Sequence, residues 1–105
     1  MKVLLACSAG MSSAIAAKSL NEAAKAAGID MEVQEISSQG FADEIKKGYA
    51  LGLVAPQIRH RFDNLKADAD AVGVPCLLIK PKGYTPIGGK FLLQQIKDEA
   101  GEIFN

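Results

Sequence analysis

Hydrophobic residues are arranged along the chain in short continuous runs and in longer stripes with helical spacing. Two continuous apolar runs, Val3-Leu4-Leu5-Ala6 and residues 50–55, predict strands that are buried on both faces. Residues 31–36 alternate apolar and polar positions, which predicts a strand at an edge of the sheet. Residues 74–79 predict a fourth strand. The pattern therefore supplies four strands separated by helical stretches.

The stretches between the strands have the residue types that begin and end helices. Ser12 or Ser13 is predicted to cap a first helix that runs to Ala27 and ends at Gly28. A second helix is predicted from Phe41 to Lys47, closed by a glycine at position 48. Each of these helices would cover one face of the sheet.

Two further helices complete the prediction. Pro56 fits the first turn of a helix that ends at Gly73 and has an apolar stripe formed by Ile58, Phe62, Leu65, Ala69 and Val72. The last helix begins near Lys90 and buries Phe91 or Leu92, together with Ile96 and Ile103. The order β-α-β-α-β-α-β-α predicts one α/β domain over residues 1–105, with parallel strands and right-handed crossovers.

Cys7 stands at the carboxyl end of the first predicted strand, where α/β sheets bind their ligands. The residues that follow it are small, so successive backbone N–H groups can surround a tetrahedral anion. The positive end of the next helix favours the thiolate form of a nearby cysteine. We therefore predict a thiolate nucleophile that accepts a phosphoryl group, with a phosphate-binding loop formed by Ser8, Ala9, Gly10, Met11, Ser12, Ser13 and Ala14.

Composition narrows the choice of partner and compartment. Twelve basic and twelve acidic side chains give a formal net charge of zero, which argues against nucleic acid as the main partner. No apolar run approaches the roughly 18 residues of a membrane span, so we expect a cytoplasmic protein without direct membrane insertion. Cys7 and Cys76 are expected to be free thiols, and no cluster of ligands predicts a metal or another cofactor.

The motif CSAGMSS after an N-terminal apolar strand resembles the IIB component of the lactose/cellobiose family of the bacterial phosphoenolpyruvate-dependent sugar phosphotransferase system. Val54-Ala55-Pro56-Gln57-Ile58 resembles the segment after the third strand of that family, and Tyr84 with Gly88-Gly89 resembles its last active-site loop. The resemblance implies a four-stranded parallel sheet in the order 2-1-3-4, with helices on both faces, as in low-molecular-weight tyrosine phosphatases.

The same resemblance implies the reaction and the partners. Cys7 matches the phosphocysteine of the family, which makes the chain a protein-phosphohistidine–sugar phosphotransferase. A phosphohistidine on a cognate IIA protein would donate the phosphoryl group to Cys7. Phosphocysteine would then pass it to a sugar, a β-linked disaccharide, bound in a membrane IIC component beside which the chain works. The sequence leaves open which sugar is carried and which oligomer forms.

Other residues near the predicted site have both a functional and a structural interpretation. Gln57 is predicted to lie beside Cys7 and Tyr84 to cover the site, although either could be an ordinary polar or loop residue. Cys76 is interpreted as a buried strand residue, and His60 as a solvent-facing residue, with a place at the rim of a partner surface as the alternative. Lys80 and Lys82 are interpreted as solvated loop charges.

Two other function classes remain open at this stage. The low-molecular-weight tyrosine phosphatases have an arginine six positions after the cysteine, where this chain has Ser13, so phosphatase turnover is expected to be poor. A non-catalytic flavodoxin-like domain would stack its ligand on loop aromatics, of which only Tyr84 is evident. A phosphoryl carrier fits the loop better than either class.

Overall fold

A computed structural model describes residues 1–7 and 11–104 of the chain. Four parallel strands form one sheet: β1 (Lys2–Cys7), β2 (Glu32–Ser37), β3 (Leu51–Val54) and β4 (Cys76–Leu78). The strand order is β2-β1-β3-β4, which confirms the predicted order 2-1-3-4 and places β2 at an edge. Because β1 pairs with a neighbour on each side, it lies at the centre of the sheet.

Four α-helices connect and cover the strands: α1 (Met11–Ala26), α2 (Phe41–Glu44), α3 (Phe62–Asp70) and α4 (Gly89–Ala100). Short 3-10 turns join them to the sheet at Ser38–Gly40, Pro56–Arg61, Pro81–Gly83 and Gly101–Phe104. The first three of these turns follow the carboxyl ends of β2, β3 and β4. After β2, β3 and β4, the chain therefore leaves the carboxyl edge of the sheet through tight turns.

Side chains of β1 alternate between two hydrophobic cores, one on each face of the sheet. Val3 and Leu5 pack with the buried residues of α1 and α4, whereas Leu4 and Ala6 pack with those of α2 and α3. All four of these β1 side chains are almost completely buried. Burial on both faces explains why β1 has a continuous apolar sequence, and it confirms the prediction of helices on both sides.

Glycines end three of the predicted helical stretches, as the sequence indicated. Gly28, Gly48 and Gly73 have φ angles of 75°, 89° and 73°, in the left-handed region that side chains disfavour. The bounds of two helices nevertheless differ from the prediction. α1 begins at Met11, so Ser12 and Ser13 lie in its first turn rather than at its N-cap. α2 ends at Glu44 rather than at Lys47, because the chain tightens into a turn before Gly48.

The predicted continuous helix from Pro56 is wrong in its first part. Residues Pro56–Arg61 form 3-10 turns with a kink at Ile58 (φ −115°, ψ 30°), and α3 begins only at Phe62. Ile58 is 3% exposed, so the kink accompanies an anchoring of its side chain in the core. Val72 was predicted on the buried stripe but is 40% exposed, because it lies in the turn after α3 has ended.

The sequence left open whether Phe91 or Leu92 is the buried residue of the last helix. Leu92 and Ile96 are buried in α4, whereas Phe91 is exposed at the surface. Ile103 lies in the 3-10 turn after α4 and packs half-buried against the same core as α1 and α4. Over residues 1–7 and 11–104, the helices are too short or too polar to cross a membrane.

Candidate active site

Cys7 is the last residue of β1 and lies at the carboxyl edge of the sheet. It pairs with Ser37 of β2 in the parallel register, and it is 6% exposed. The first residue of α1, Met11, follows only four positions later, so the amino end of this helix lies close to the end of β1. Cys7 therefore lies at the end of the sheet where α/β proteins bind their ligands, beside the start of a helix.

The predicted phosphate-binding loop can be located only in part. Ser8, Ala9 and Gly10 lie outside the described residues, and so do the side chains of Met11, Ser12 and Ser13. The backbone of Met11, Ser12 and Ser13 forms the first turn of α1, and Ala14 is exposed in the same turn. The anion-binding role of these residues therefore stays a prediction.

The turn after β3 is brought next to the end of β1. The Ala55 N–H donates a hydrogen bond to the carbonyl oxygen of Ala6 at 2.9 Å, and Pro56 begins the 3-10 turns immediately afterwards. Gln57 is exposed there, at the edge of the sheet that carries Cys7. Its amide makes no hydrogen bond with any residue that the structure describes, so its role at the site stays a prediction.

Tyr84 lies half-buried in the segment that follows β4. Its ring packs against both hydrophobic cores, and the core with which α2 and α3 pack also contains Cys7. Tyr84 therefore sits at the end of the sheet, between the two helical layers. This position agrees with the predicted rim of the site, and a direct role for the phenol stays a prediction.

Two hydrogen-bonded clamps hold the segment that carries Tyr84. The buried amide of Gln95 in α4 accepts from the Lys80 N–H at 3.0 Å and donates to the Leu78 carbonyl at 2.7 Å. At the other end of the segment, the Gly89 N–H donates to the Ser19 hydroxyl of α1 at 2.9 Å. Both clamps fix the segment to helices rather than to other loops.

The sequence analysis did not identify Gln95 or Ser19. A signal for Gln95 existed, because it is a polar residue beside the buried Ile96 on the apolar side of the last helix. Ser19 offered no comparable signal, since serine is common on helix surfaces and its partner is 70 positions away. These residues support the site through the backbone of the segment after β4.

The remaining candidates have structural surroundings. Cys76 is 4% exposed, and burial raises the pKa of its thiol from 9.0 to about 12, which confirms that it is a buried strand residue. His60 is exposed, as expected. Lys80 Nζ lies 3.9 Å from Glu99 Oε2, and Lys82 Nζ lies 5.4 Å from the centre of the Phe91 ring. Within the described part of the chain, no group of three or more His, Cys, Asp or Glu residues could hold a metal ion.

Comparison with known proteins assigns the family. The family model "PTS system, Lactose/Cellobiose specific IIB subunit" matches residues 2–95, which include every element described above except the end of α4 and the last turn. The chain belongs to this family. The resemblance seen in the CSAGMSS motif is thereby confirmed at the level of the family.

Relatives within the family differ in length and in their named sugars. The chain is 34% identical over 104 residues to the PTS system lactose-specific EIICB component of Streptococcus mutans, covering 91% of this chain but only 18% of that protein. It is 28% identical over 94 residues to the oligo-beta-mannoside-specific EIIB component of Bacillus subtilis, covering 90% of each. The match thus spans almost all of a free-standing relative and a small part of a longer one.

Solved structures of IIB proteins share the fold. A lactose-specific IIB domain from Streptococcus pneumoniae superimposes with a TM-score of 0.75 at 23% identity, over 90% of this chain and 95% of that chain. A cellobiose-specific IIB component from Borrelia burgdorferi superimposes with a TM-score of 0.71 at 25% identity, over 97% of this chain and 93% of that chain. The four-stranded sheet with two helical layers is therefore the fold of IIB proteins.

Proposed function

We propose that the chain is a phosphoryl-carrier subunit of a sugar phosphotransferase system and that Cys7 carries the phosphoryl group. The observation that supports this most strongly is the placement of Cys7 as the last residue of the central strand, four positions before the start of α1. Membership of the lactose/cellobiose IIB family supports the same function. On this proposal, residues 1–105 form one IIB domain.

The first step is transfer from a phosphohistidine on a IIA protein. The Cys7 thiolate attacks the phosphorus of a phosphohistidine that is protonated on its other ring nitrogen, an S–P bond forms, and the P–N bond breaks to release neutral imidazole. Negative charge on the phosphoryl oxygens is stabilised by the backbone N–H groups of residues 8–14 and by the amino end of α1. No proton has to be moved at Cys7 once its thiolate has formed.

The second step delivers the group to a sugar held by a membrane IIC component. A sugar hydroxyl attacks phosphorus, an O–P bond forms, and the S–P bond breaks to regenerate the thiolate while the hydroxyl proton is lost to a base or to solvent. Lactose, cellobiose and oligo-beta-mannosides are named in relatives and neighbours, so we propose a sugar with a β-glycosidic bond. Gln57 and Tyr84 are proposed to form the rim of the site.

Intact-mass analysis and ³¹P NMR test the carrier function directly. The purified chain is incubated with phosphoenolpyruvate, the general phosphotransferase proteins and a panel of IIA proteins of this family. We expect one phosphoryl group with a thiophosphate signal in the wild type, and none in Cys7→Ser, because a serine hydroxyl stays protonated where a thiol ionises. Cys76→Ala is the matched control and should be labelled like the wild type.

The same preparations separate a carrier from a phosphatase. Without an arginine at position 13, the loop offers no guanidinium to hold the equatorial oxygens of a small aryl phosphate. We therefore expect negligible hydrolysis of that substrate by the wild type. Labelling that persists in Cys7→Ser, or steady turnover of the aryl phosphate, would contradict the proposed function.

A further inference from the structure

The turns at the carboxyl edge of the sheet carry a positive charge that the formal net charge of zero conceals. Residues 37–40, 55–61 and 79–88 follow the ends of β2, β3 and β4, and they contain no aspartate or glutamate. Their basic residues, apart from His60, are Arg59, Arg61, Lys80 and Lys82. Cations are therefore concentrated in the turns at the edge where Cys7 lies, and the nearest carboxylates at this edge are Asp43 and Glu44 in the first turn of α2 and Asp63 in the first turn of α3.

Three of the basic side chains at this edge are not paired with any carboxylate in the part of the chain that the structure describes. Arg59, His60 and Arg61 are all exposed, and none of them makes an ion pair with a carboxylate in residues 1–7 or 11–104. The next carboxylate along the chain, Asp63, also makes no ion pair with them. Lys80, in contrast, lies near Glu99, and Lys82 lies over the ring of Phe91. The positive charges of Arg59 and Arg61 are thus directed to solvent, with the His60 ring exposed between them.

The turn that carries these three residues begins beside the end of β1. Ala55 is hydrogen-bonded to Ala6, the residue before Cys7, and the 3-10 turns begin one position later. At about 2 Å of rise per residue, Arg59 lies roughly 10 Å or less from the end of β3. The buried side chain of Ile58 anchors the turn, so the basic side chains are held at the rim of the site rather than on a free loop.

We infer that Arg59, His60 and Arg61 form a docking surface for an acidic face of the protein that donates the phosphoryl group to Cys7. This inference rests on the proposed function. The donor must approach this edge of the sheet, and it presents a phosphoryl dianion when it does so. Cations within about one Debye length, roughly 8 Å at physiological salt, attract such a partner and raise its association rate. The thiol itself needs no contact with these side chains.

Kinetics of phosphoryl transfer test the docking surface with a matched pair of variants. Arg59→Gln/Arg61→Gln removes two positive charges from the docking surface. Lys25→Gln/Lys46→Gln removes two charges from the opposite edge, where both lysines are exposed, one in the last turn of α1 and one before β3. Quench-flow measurement with a phosphorylated IIA protein that labels the wild type gives the second-order rate constant at low donor concentration and the first-order rate constant at saturation.

We expect Arg59→Gln/Arg61→Gln to lower the second-order rate constant roughly tenfold at low salt and to leave the rate at saturation unchanged. The difference from the wild type should disappear at about 0.5 M salt, where the Debye length falls to a few ångströms. Lys25→Gln/Lys46→Gln should match the wild type under both conditions. These three results together would establish the docking surface.

Other outcomes would overturn the inference. Equal second-order rate constants for the wild type and Arg59→Gln/Arg61→Gln at low salt would do so, as would a tenfold loss that persists at donor saturation. Binding of the wild type to phosphatidylglycerol vesicles that is lost in this variant, with no change in transfer rate, would assign the charges to a membrane surface instead. Failure of the wild type to accept any phosphoryl group would refute the proposed function itself, which keeps the two failures distinct.

Discussion

Cys7 and Cys76 are buried to almost the same degree, yet they stand at opposite ends of their strands. Cys7 is 6% exposed and is the last residue of β1, whereas Cys76 is 4% exposed and is the first residue of β4. Cys76 pairs with Gly52, which pairs with Leu4, so Cys76 lies level with the middle of β1, away from the carboxyl edge where Cys7 stands. Burial alone therefore does not distinguish the cysteine proposed as the nucleophile from the one that packs in the core.

The two thiols differ in what surrounds them. Cys76 lies beside Gly52 and the ring of Phe41, and this apolar environment disfavours its thiolate and raises the pKa of the thiol to about 12. Cys7 packs in the same core, but the chain leaves its strand at once and enters α1. The carboxyl end of a strand in an α/β sheet thus provides the helix N-terminus that the amino end lacks.

The largest expected difference between the two thiols is in their rates of alkylation. A cysteine with a pKa of about 12 holds roughly one part in ten thousand as thiolate at pH 8. We therefore expect iodoacetamide to modify Cys76 roughly a thousandfold more slowly than an unburied cysteine, and Cys7 to be the faster of the two thiols in the folded chain. Peptide mass mapping over time gives both rates, and Cys7→Ser isolates the slow one. Equal rates would show that the two environments do not differ chemically.

Gly89 at the start of α4 and Gly52 beside Cys76 allow a comparison of how tightly the backbone is packed at the two places. A Cβ on Gly89 would overlap the carbonyl oxygen of Ser19, so Gly89→Ala must displace the backbone that joins α4 to α1. A Cβ on Gly52 would lie 3.0 Å from Cζ of Phe41, a buried ring that needs to move only slightly. We expect losses of about 3 kcal/mol for Gly89→Ala and about 1 kcal/mol for Gly52→Ala in the free energy of unfolding.

Urea denaturation measures both losses, and Gly101→Ala is a matched control because a Cβ there meets no neighbouring atom. The larger loss should also slow phosphoryl transfer, since Gly89 holds the segment that carries Tyr84. A larger loss for Gly52→Ala than for Gly89→Ala would contradict this prediction, because it would mean that the backbone is packed more tightly beside Cys76 than beside Ser19.

The smallest expected effect is a difference in stability at alkaline pH. Folding raises the pKa of Cys76 from 9.0 to about 12, so the unfolded chain loses this proton first and stability falls as the pH rises above about 9. Burial and the hydrogen bond to Glu44 raise the pKa of Tyr49 from 10.0 to about 12, which adds a second loss above pH 10. Each group lowers the free energy of unfolding by about 1 kcal/mol per pH unit in its window.

Cys76→Ala removes the first of these two contributions. Denaturation between pH 8 and pH 10 should therefore show a shallower decline for Cys76→Ala than for the wild type, although the variant is less stable at pH 8. Above pH 10 both proteins should lose stability through Tyr49. Parallel curves from pH 8 to pH 10 would mean that the Cys76 thiol titrates alike in the folded and unfolded chains.

The sequence predicted the strands and the glycine-terminated helix ends because both depend on local preferences. Continuous apolar runs identified β1 and β3, and Gly28, Gly48 and Gly73 have the left-handed conformation that made them recognisable. The position of Cys7 at a strand end followed from the same pattern. The strand order, in contrast, came from the resemblance to the IIB family and was confirmed by the structure.

Features that depend on distant parts of the chain were not predictable. A stripe with Ile58 and Phe62 four positions apart fits an α-helix, so nothing in the pattern indicated the kink that separates the 3-10 turns from α3. The bond between Gly89 and Ser19 joins residues 70 positions apart. The clamps on the segment after β4 therefore became visible only once α1 and α4 were placed side by side.

The central position of β1 affects the order in which the strands open during local unfolding. Its amides and carbonyls bond to β2 on one side and to β3 on the other, whereas β4 is a three-residue strand at an edge. Hydrogen exchange should therefore be slowest in β1, whose protons escape only when the whole sheet opens, and faster in β4. Local opening of β4 would therefore expose Cys76 many times before the sheet opened far enough to release β1, the strand that ends in Cys7.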